Sequence, residues 1–224
     1  MIRLHHERRV PGKRLGRHVH HDPSSRAFES PFSAMQIISA SWERHCAPYD
    51  QGDVGSCTGN ATAGALMTGP LWKPGRMLTE DDALQIYEAA THLDRIPGAY
   101  PPDDTGSTGL AAAKAALLAR LISAYHHAFS LHAALASLGR GPVIIGIGWY
   151  EGFDSPVGTS AELQIAGQVR GGHEVCLSAI DVDTKMVRGC NSWGASWGDG
   201  GYFTMSFDTL GALLADQGDC TVFS

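Results

Sequence analysis

The sequence lacks an apolar run that could cross a membrane. Its longest apolar candidate, residues 143–150, is far shorter than the roughly 20 residues that a membrane-spanning helix needs. The first 30 residues are polar and lack the apolar core of a secretory signal. On these grounds we expect no membrane partner, and a chain without an export signal is expected by default to stay in the cytoplasm.

The sequence also lacks an excess of positive charge. Lysine and arginine number 17 against 23 aspartates and glutamates, for a formal net charge of −6, so we expect no nucleic-acid partner. The histidines His18, His20 and His21 could bind a transition metal, but no cysteine or second histidine pair completes a site, and we expect no metal. A short basic segment is the exception, and such runs are usually solvated, flexible tails; it contains Arg3, Arg8, Arg9, Lys13, Arg14 and Arg17.

Cysteines are few, and their number is odd. With five cysteines at least one thiol is unpaired if every disulfide is internal, and without an export signal reduced thiols are the better expectation. Cys176 and Cys190 fall in two predicted strands of one hairpin, where buried thiols act as small apolar side chains. We interpret these two, Cys46 and Cys220 as structural, although a Cys46–Cys220 bridge stays open at this level.

What the sequence contains is an ordinary globular composition. Hydrophobic residues make up 43% of its 224 residues and charged residues 18%, enough for one large core or two halves that share a cleft. Helical spacing, with a Thr79–Asp82 capping box, precedes Gly141, and short β-branched or alternating runs follow it. This segregation predicts an α+β fold with a cleft between the halves. The predicted helices cover residues 57–68, about 80–92, 109–122 and 131–138, and the predicted strands 143–149, 173–182, 185–190 and 201–207.

Three separate segments supply the residues of a candidate thiol site. Cys57 ends the run Gln51-Gly-Asp-Val-Gly-Ser-Cys and opens a helix of small residues, whose first-turn N–H groups and positive dipole end are expected to lower the pKa of its thiol. His173 lies at the start of a predicted strand, and Asn191 begins the run Asn-Ser-Trp-Gly-Ala-Ser-Trp-Gly. A cysteine, a histidine and an amide in this order are the parts of a thiol acyl-transfer site.

These motifs resemble those of the papain-like cysteine peptidases. The resemblance rests on Gln51-Gly-x-x-Gly-Ser-Cys57, on Gly-His173 and on Asn191-Ser-Trp-Gly-x-x-Trp-Gly, and it extends over roughly residues 45–207. In this family the histidine and the asparagine usually follow the cysteine by ~130–150 residues. Here the separation from Cys57 to His173 is below that range, and the separation from Cys57 to Asn191 is near its lower end. This indicates a compact member of a bacterial or phage type. The resemblance implies a helical N-terminal lobe at about residues 41–138 and an antiparallel, β-barrel-like C-terminal lobe at about residues 139–224, with the active site between them.

The resemblance also implies a role for each residue of the site. Cys57 would attack the scissile carbonyl as a thiolate, and His173 would hold the proton and donate it to the leaving amine. Asn191 would accept a hydrogen bond from the imidazole and fix its orientation. Gln51 would donate to the oxyanion beside the Cys57 backbone N–H. Trp193 would shield the histidine–asparagine hydrogen bond from water.

A second group of residues is expected to border the substrate. Gly106 and Ser107 are placed as a backbone edge that pairs with an extended peptide, and Trp193 lies beside the histidine. Gly172 stands where relatives often have a carboxylate. Glu174 stands where they have a small residue, bordering the pocket for the second residue upstream of the cut. Either Glu174 favours a basic side chain there, or it is an exposed or hairpin-paired glutamate.

An N-terminal arm precedes the predicted peptidase domain of residues 41–224. Residues 1–40 carry Pro11, Pro23 and Pro31 and show no sustained periodicity. Two interpretations have equal weight at this level. The arm lies along the cleft and blocks it until it is removed, or it is a strap that packs elsewhere.

The motifs together predict a cysteine endopeptidase. It would hydrolyse peptide bonds of a peptide or protein substrate through a thioester acyl-enzyme, without metal or organic cofactor. One alternative is a catalytically silent papain-fold protein that uses the cleft to bind a peptide. Another is a cell-wall peptide hydrolase or amidase that acts on peptidoglycan stem peptides. The oligomeric state is left open.

Overall fold

The computed structural model describes residues 2–224, so Met1 of the expected arm lies outside the described residues. None of the helices in this range is both long and apolar enough to cross a membrane. Four of the five α-helices are preceded by a Ser or Thr whose side chain accepts a hydrogen bond from a first-turn backbone N–H. Ser56, before the first helix, forms no such cap. The described range contains five α-helices: α1 Cys57–Leu66, α2 Glu80–Leu93, α3 Gly109–Leu118, α4 Leu131–Leu138 and α5 Phe207–Ala215.

One large antiparallel sheet organises the fold. The strands within residues 2–224 are β1 Ile2–Arg3, β2 Val19–His20, β3 Ala40–Ser41, β4 Tyr125–His127, β5 Val143–Tyr150, β6 Val169–Asp181, β7 Met186–Cys190, β8 Tyr202–Ser206 and β9 Asp219–Phe223. The sheet contains seven of these strands, in the order β4-β9-β5-β6-β7-β8, with β3 paired to part of β6, while β1 and β2 form a separate ribbon. The central strands β5 and β6 are buried almost throughout, as expected for a sheet covered on both faces.

The helix α1 is the central helix of the molecule and is buried along its whole length. Its small residues let α2 and β6 pack directly against it. Gly59 shows how close α2 comes, because a Cβ at this position would overlap the Ala83 carbonyl oxygen and lie 2.9 Å from the Tyr87 Cβ. Contacts on two sides therefore hold the end of α1 that carries Cys57.

The structure confirms the four predicted helices and the four predicted strands. The helix α4 has the predicted bounds, whereas α3 ends at Leu118, before the expected Ile122. Sequence patterns missed α5, β4 and β9. The two strands are short and pair with each other although they are far apart in the sequence, Tyr125 opposite Phe223, so no local periodicity marks them.

The sheet packs with two elements of the predicted helical lobe. The strand β4 belongs to it, and α4 contributes Leu135 and Leu138 to the same apolar core as Ile145 and Leu177 of the sheet. The expected lobe boundary at residues 138–139 therefore differs from the packing, in which both elements lie with the sheet. Helices α1, α2 and α3 form the other side of the cleft.

All five cysteines are free thiols. Cys176 on β6 lies directly opposite Cys190 on β7, as the predicted hairpin implied. The Cys46–Cys220 bridge that the sequence left open is not formed.

The substitution Gly59→Ala measures how tightly α1 packs on α2. Alanine favours a helix over glycine by about 0.5–1 kcal/mol, yet we expect the clash with α2 to prevail and to lower the free energy of unfolding by about 1–3 kcal/mol. Urea unfolding measures the change. Gly141→Ala is the matched control, because a Cβ there meets only Pro70 side-chain atoms, at 3.5 Å or more. Equal effects of the two substitutions would contradict this account.

Candidate active site

The thiol of Cys57 lies at the first residue of α1 and is fully buried. The strand β6, which packs against α1, carries His173 and Glu174. The backbone N–H of Glu174 faces the Cys57 sulfur. Contact between α1 and β6 therefore brings together residues that are far apart in the sequence.

Asn191 holds the imidazole of His173 by one ring nitrogen. The His173 Nε2 and Asn191 Oδ1 atoms lie 2.7 Å apart, and both residues are buried. The amide oxygen also accepts from the Ser192 backbone N–H at 2.7 Å, which fixes the amide orientation. With Nε2 donating, Nδ1 of the neutral ring is an acceptor, and it has no hydrogen-bond partner among residues 2–224. The second nitrogen is thus available for proton transfer.

Two indole rings cover the His173–Asn191 pair. The Trp193 ring centroid lies 5.1 Å from that of His173, and the Trp149 centroid lies 4.7 Å from it, edge-on. The sequence motif pointed to Trp193 but not to Trp149. Ile147 is directly opposite His173 in the β5–β6 pair, so Trp149 reaches the same face two residues further along. Only the strand register reveals that placement.

Gln51 lies against the segment that carries Asn191. Its backbone N–H donates to the Ser192 carbonyl at 2.9 Å, and its Oε1 accepts from the Ser192 hydroxyl at 2.6 Å. Its Nε2 donates to the Val54 carbonyl at 2.8 Å, in the loop that leads to Cys57. An amide nitrogen has two N–H groups, so one donor remains for another acceptor.

Burial keeps both the thiol and the imidazole neutral in this closed arrangement. It raises the pKa of Cys57 to about 12, and the nearby Glu174 carboxyl adds to the rise. Burial lowers the pKa of His173 to about 3, and the hydrogen bond to Asn191 opposes that shift only in part. The expected lowering of the Cys57 pKa is wrong for the closed cleft, because desolvation of a charge outweighs the dipole of one helix end.

The N-terminal arm occupies the cleft beside these residues. On one rim, the His18 N–H donates to the Ser107 carbonyl at 2.7 Å, and the Ser107 N–H donates to the Gly16 carbonyl at 2.8 Å. On the other rim, the Gly172 carbonyl accepts from the N–H groups of Gly16 and Arg17 at 3.2 and 3.0 Å. The backbone that the sequence assigned to substrate is therefore paired with the chain's own arm.

Gly106 lets the N-terminal arm lie close to the rim of the cleft. Its φ of +71° favours glycine, and a Cβ there would overlap the Gly16 carbonyl oxygen and lie 2.8 Å from the His18 Nε2. The His18 ring is fully engaged, because Nδ1 accepts from the His5 backbone N–H at 3.0 Å and Nε2 lies 2.7 Å from the Thr105 carbonyl. Both ring nitrogens of His18 therefore take part in contacts that hold the arm.

Arg14 and Asp104 fasten the arm beside the nucleophile loop. Their Nη2 and Oδ2 atoms lie 2.7 Å apart, and Arg14 also pairs with Glu7. Asp104 accepts from the Gly55 backbone N–H at 3.0 Å and from the Tyr87 hydroxyl at 2.7 Å. One carboxylate thus links the arm, the loop before Cys57 and α2. The sequence gives no signal for this role, since Asp104 stands in an irregular loop.

Two expectations about charged residues are wrong. The N-terminal arginines were predicted to be solvated, yet Arg14 and Arg17 are only 8% and 1% exposed. Arg17 pairs with Asp219 and donates to the Gln217 carbonyl at 2.9 Å. Glu174 is fully buried, which rules out the exposed-glutamate interpretation. Burial, with Asp219 nearby, raises the pKa of Glu174 well above its usual value.

No family model and no curated protein matches the sequence. Solved structures do match over most of the chain. Xylellain, a cysteine protease from Xylella fastidiosa, has a TM-score of 0.73 at 18% identity, over 97% of this chain and 98% of that chain. Digestive procathepsin L 3 of Tenebrio molitor larval midgut has a TM-score of 0.65 at 17% identity, over 88% of this chain and 74% of that chain. The bromelain protease of Ananas comosus has a TM-score of 0.59 at 16% identity, over 83% and 98%. The chain therefore has the α+β fold of the papain-like cysteine proteases, as its motifs predicted.

Proposed function

We propose that the chain is a papain-like cysteine endopeptidase with Cys57 as its nucleophile. The observation that carries this proposal is the 2.7 Å hydrogen bond between His173 Nε2 and Asn191 Oδ1, which leaves a buried Nδ1 without a partner on the strand that packs against the Cys57 helix. The similarity of the fold to xylellain, a cysteine protease, supports the same function.

The mechanism begins when the cleft opens and water enters. The Cys57 proton moves to Nδ1 of His173, and the thiolate attacks the scissile carbonyl carbon, forming a C–S bond. The remaining side-chain N–H of Gln51 and the Cys57 backbone N–H stabilise the oxyanion. When the C–N bond breaks, His173 donates its proton to the leaving amine. Water then hydrolyses the thioester, with Asn191 keeping the ring oriented throughout.

The arm is proposed to hold this peptidase in a latent state. Residues 16–18 use the hydrogen-bonding groups of both rims, and the buried side chains of Arg14 and Arg17 hold this part of the arm through Asp104 and Asp219. The same contacts exclude the water that the charged Cys57–His173 pair requires. Of the two interpretations of the arm, these contacts favour the blocking one over a strap packed elsewhere.

The double substitution Arg14→Ala/Arg17→Ala is expected to open the cleft. Each substitution removes a buried arginine that pairs with a partly exposed carboxylate, and about 1.4 kcal/mol changes an opening equilibrium tenfold. We therefore expect Cys57 to react with iodoacetamide about tenfold faster or more, as measured by peptide mass spectrometry. Arg3→Ala/Arg9→Ala removes the same charge from exposed positions of the arm and is expected to have no effect. Similar rates in both variants would argue against latency.

The pH dependence of the alkylation of Cys57 by iodoacetamide reports whether its thiol is ionised. With a pKa raised to about 12 in the closed chain, the thiolate fraction is small and increases about tenfold per pH unit through the neutral range. In the Arg14→Ala/Arg17→Ala chain, an imidazolium-stabilised thiolate should keep the alkylation rate nearly constant from about pH 6 to 8. Alkylation rates of Cys57 across this range measure the difference, and equal slopes for both chains would contradict it.

The substitution Gln51→Ala tests the oxyanion contact. In the Arg14→Ala/Arg17→Ala chain we expect it to lower kcat about 100–1000-fold with little change in KM, measured with a fluorogenic peptide library. Gln164→Ala, which removes an exposed amide, is the matched control and should have no effect. Cys57→Ala should abolish turnover.

The same library separates the alternatives. A catalytically silent papain-fold binding protein would bind peptides without cleaving them, even with a reactive Cys57. A cell-wall hydrolase would cleave peptidoglycan stem peptides and leave the ordinary peptides intact.

A further inference from the structure

Arg170 on β6 is a buried cation that the proposed mechanism does not use, and it is only 1% exposed. Gly171 and Val169 are opposite consecutive residues of β5, so Arg170 between them is the extra residue of a β-bulge. Such a bulge re-aims a side chain, often beside an active site. The Arg170 Cζ lies 5.7 Å from the centroid of the Trp193 ring, and this ring packs against the imidazole of His173. The bulge therefore brings a guanidinium close to the candidate site.

Asp154 fixes the orientation of this guanidinium. The Arg170 Nε lies 3.2 Å from both carboxylate oxygens of Asp154, and the Oδ1 atom also accepts from the indole N–H of Trp149 at 3.0 Å. None of these three side chains belongs to the N-terminal arm. We therefore expect the guanidinium to keep its position when the arm leaves the cleft.

The arm provides every partner of the other two nitrogens of Arg170 within residues 2–224. Nη1 donates to the Arg8 carbonyl at 2.9 Å, and Nη2 donates to the Lys13 carbonyl at 2.6 Å. The carboxylate of Glu7 lies 3.6 Å from Nη1. An opened cleft therefore presents a planar fork of N–H donors without acceptors, and such a fork matches the two oxygens of a carboxylate.

The path of the arm shows where Arg170 lies relative to Cys57. Gly16 contacts the loop that leads to Cys57, because a Cβ on Gly16 would overlap the Gly55 carbonyl oxygen. The arm residues after Gly16 pair with the backbone edge predicted to bind substrate, and those before it contact Arg170 and the Trp193 indole N–H. The imidazole that protonates the leaving amine packs on the Trp193 ring. Arg170 is therefore on the leaving-group side of the cleft.

We infer that Arg170 binds a carboxylate of the leaving peptide, within about two residues of the scissile bond. This inference rests on the proposed peptidase function. The limit on length follows from the Trp193 ring, whose centroid is 5.7 Å from the Arg170 Cζ and 5.1 Å from the His173 ring centroid. The carboxylate can come from two sources. One is the C-terminus of the substrate, in which case the chain acts as a carboxypeptidase, and the other is the side chain of an aspartate or glutamate.

Charge pairing at Arg170 favours this class of substrate. Hydrogen bonds between ionised partners are about twice as strong as neutral ones, and a guanidinium can form two of them in parallel with one carboxylate. A leaving peptide that ends in an amide, or that carries glutamine, offers only neutral acceptors. The Glu7 carboxylate of the arm provides an acidic group beside Arg170 in the closed chain.

The first experiment compares substrates that differ in a single carboxylate. The Arg14→Ala/Arg17→Ala chain is given two pairs of N-terminally acetylated peptides, and mass spectrometry identifies the products. One pair ends in a free carboxylate or in an amide, and the other pair is amidated and carries Glu or Gln directly after the scissile bond. We expect kcat/KM to favour the carboxylate about tenfold or more in one of the two pairs, which identifies its source.

Substitutions of Arg170 test its role in this background. Arg170→Gln keeps a hydrogen-bonding side chain without the charge and should reduce the carboxylate-to-amide ratio to about twofold or less. A purely structural role would instead lower the turnover of both peptides equally. Arg188→Gln, which removes a 42%-exposed arginine side chain from β7, is the matched control and should leave the ratio unchanged. Should Arg170→Gln not fold, Arg170→Met, which is also uncharged, takes its place.

A second experiment measures binding without turnover. Cys57→Ala is added to the Arg14→Ala/Arg17→Ala chain, and isothermal titration calorimetry compares the peptides of each pair. We expect the peptide with the favoured carboxylate to bind about tenfold tighter than its amide partner, and Arg170→Gln to remove the difference. Cys57→Ala alone, with its arm in place, should bind neither, because arm carbonyls occupy the Arg170 donors.

The outcomes separate this inference from the peptidase proposal. Cleavage of both peptides of each pair at equal rates, or a ratio that Arg170→Gln leaves unchanged, overturns the carboxylate site and leaves the peptidase standing. If no peptide is cleaved but a carboxylate peptide binds more tightly through Arg170, the carboxylate site is supported and the peptidase proposal fails.

Discussion

Exclusion of water from the cleft is the constraint on which the electrostatics of this molecule depend. Cys57, His173 and Glu174 are all fully buried while the arm is in place. In that environment an isolated charge is expensive, so the thiol and the imidazole are neutral. Exclusion of water also lowers the local dielectric constant, which strengthens the 2.7 Å hydrogen bond between His173 and Asn191. The rings of Trp149 and Trp193 lie over this imidazole. The side chains of the candidate site are therefore already in place, but the thiol and the imidazole are neutral.

The arm supplies counter-charges to two partly exposed carboxylates. Arg14 pairs with Asp104, which also accepts from Gly55 in the nucleophile loop, and Arg17 pairs with Asp219 at the sheet. Backbone hydrogen bonds of residues 16–18 join the arm to both rims of the cleft.

Much of the candidate site could be predicted because its motifs are local. The run from Gln51 to Cys57 and the run that starts at Asn191 each have an internal spacing that is visible without a structure. Helices with clear caps, such as α2 after Thr79 and α4 after Ser130, were predicted for the same reason. Residues whose importance depends on distant pairing were not predictable: Trp149 reaches the imidazole through the β5–β6 register, and Asp219 reaches Arg17 through β9.

The sequence by itself determined the fold class, the chemistry-bearing residue types and their order along the chain, because periodicity and motif spacing are properties of neighbouring residues. The tertiary structure decided what those residues do in the resting molecule. It buried two arginines of a segment that its composition marks as solvated, and it reversed the expected shift of the Cys57 pKa. The physical reason is that burial and charge pairing depend on which surfaces meet in space, and such contacts join positions that are far apart in the chain.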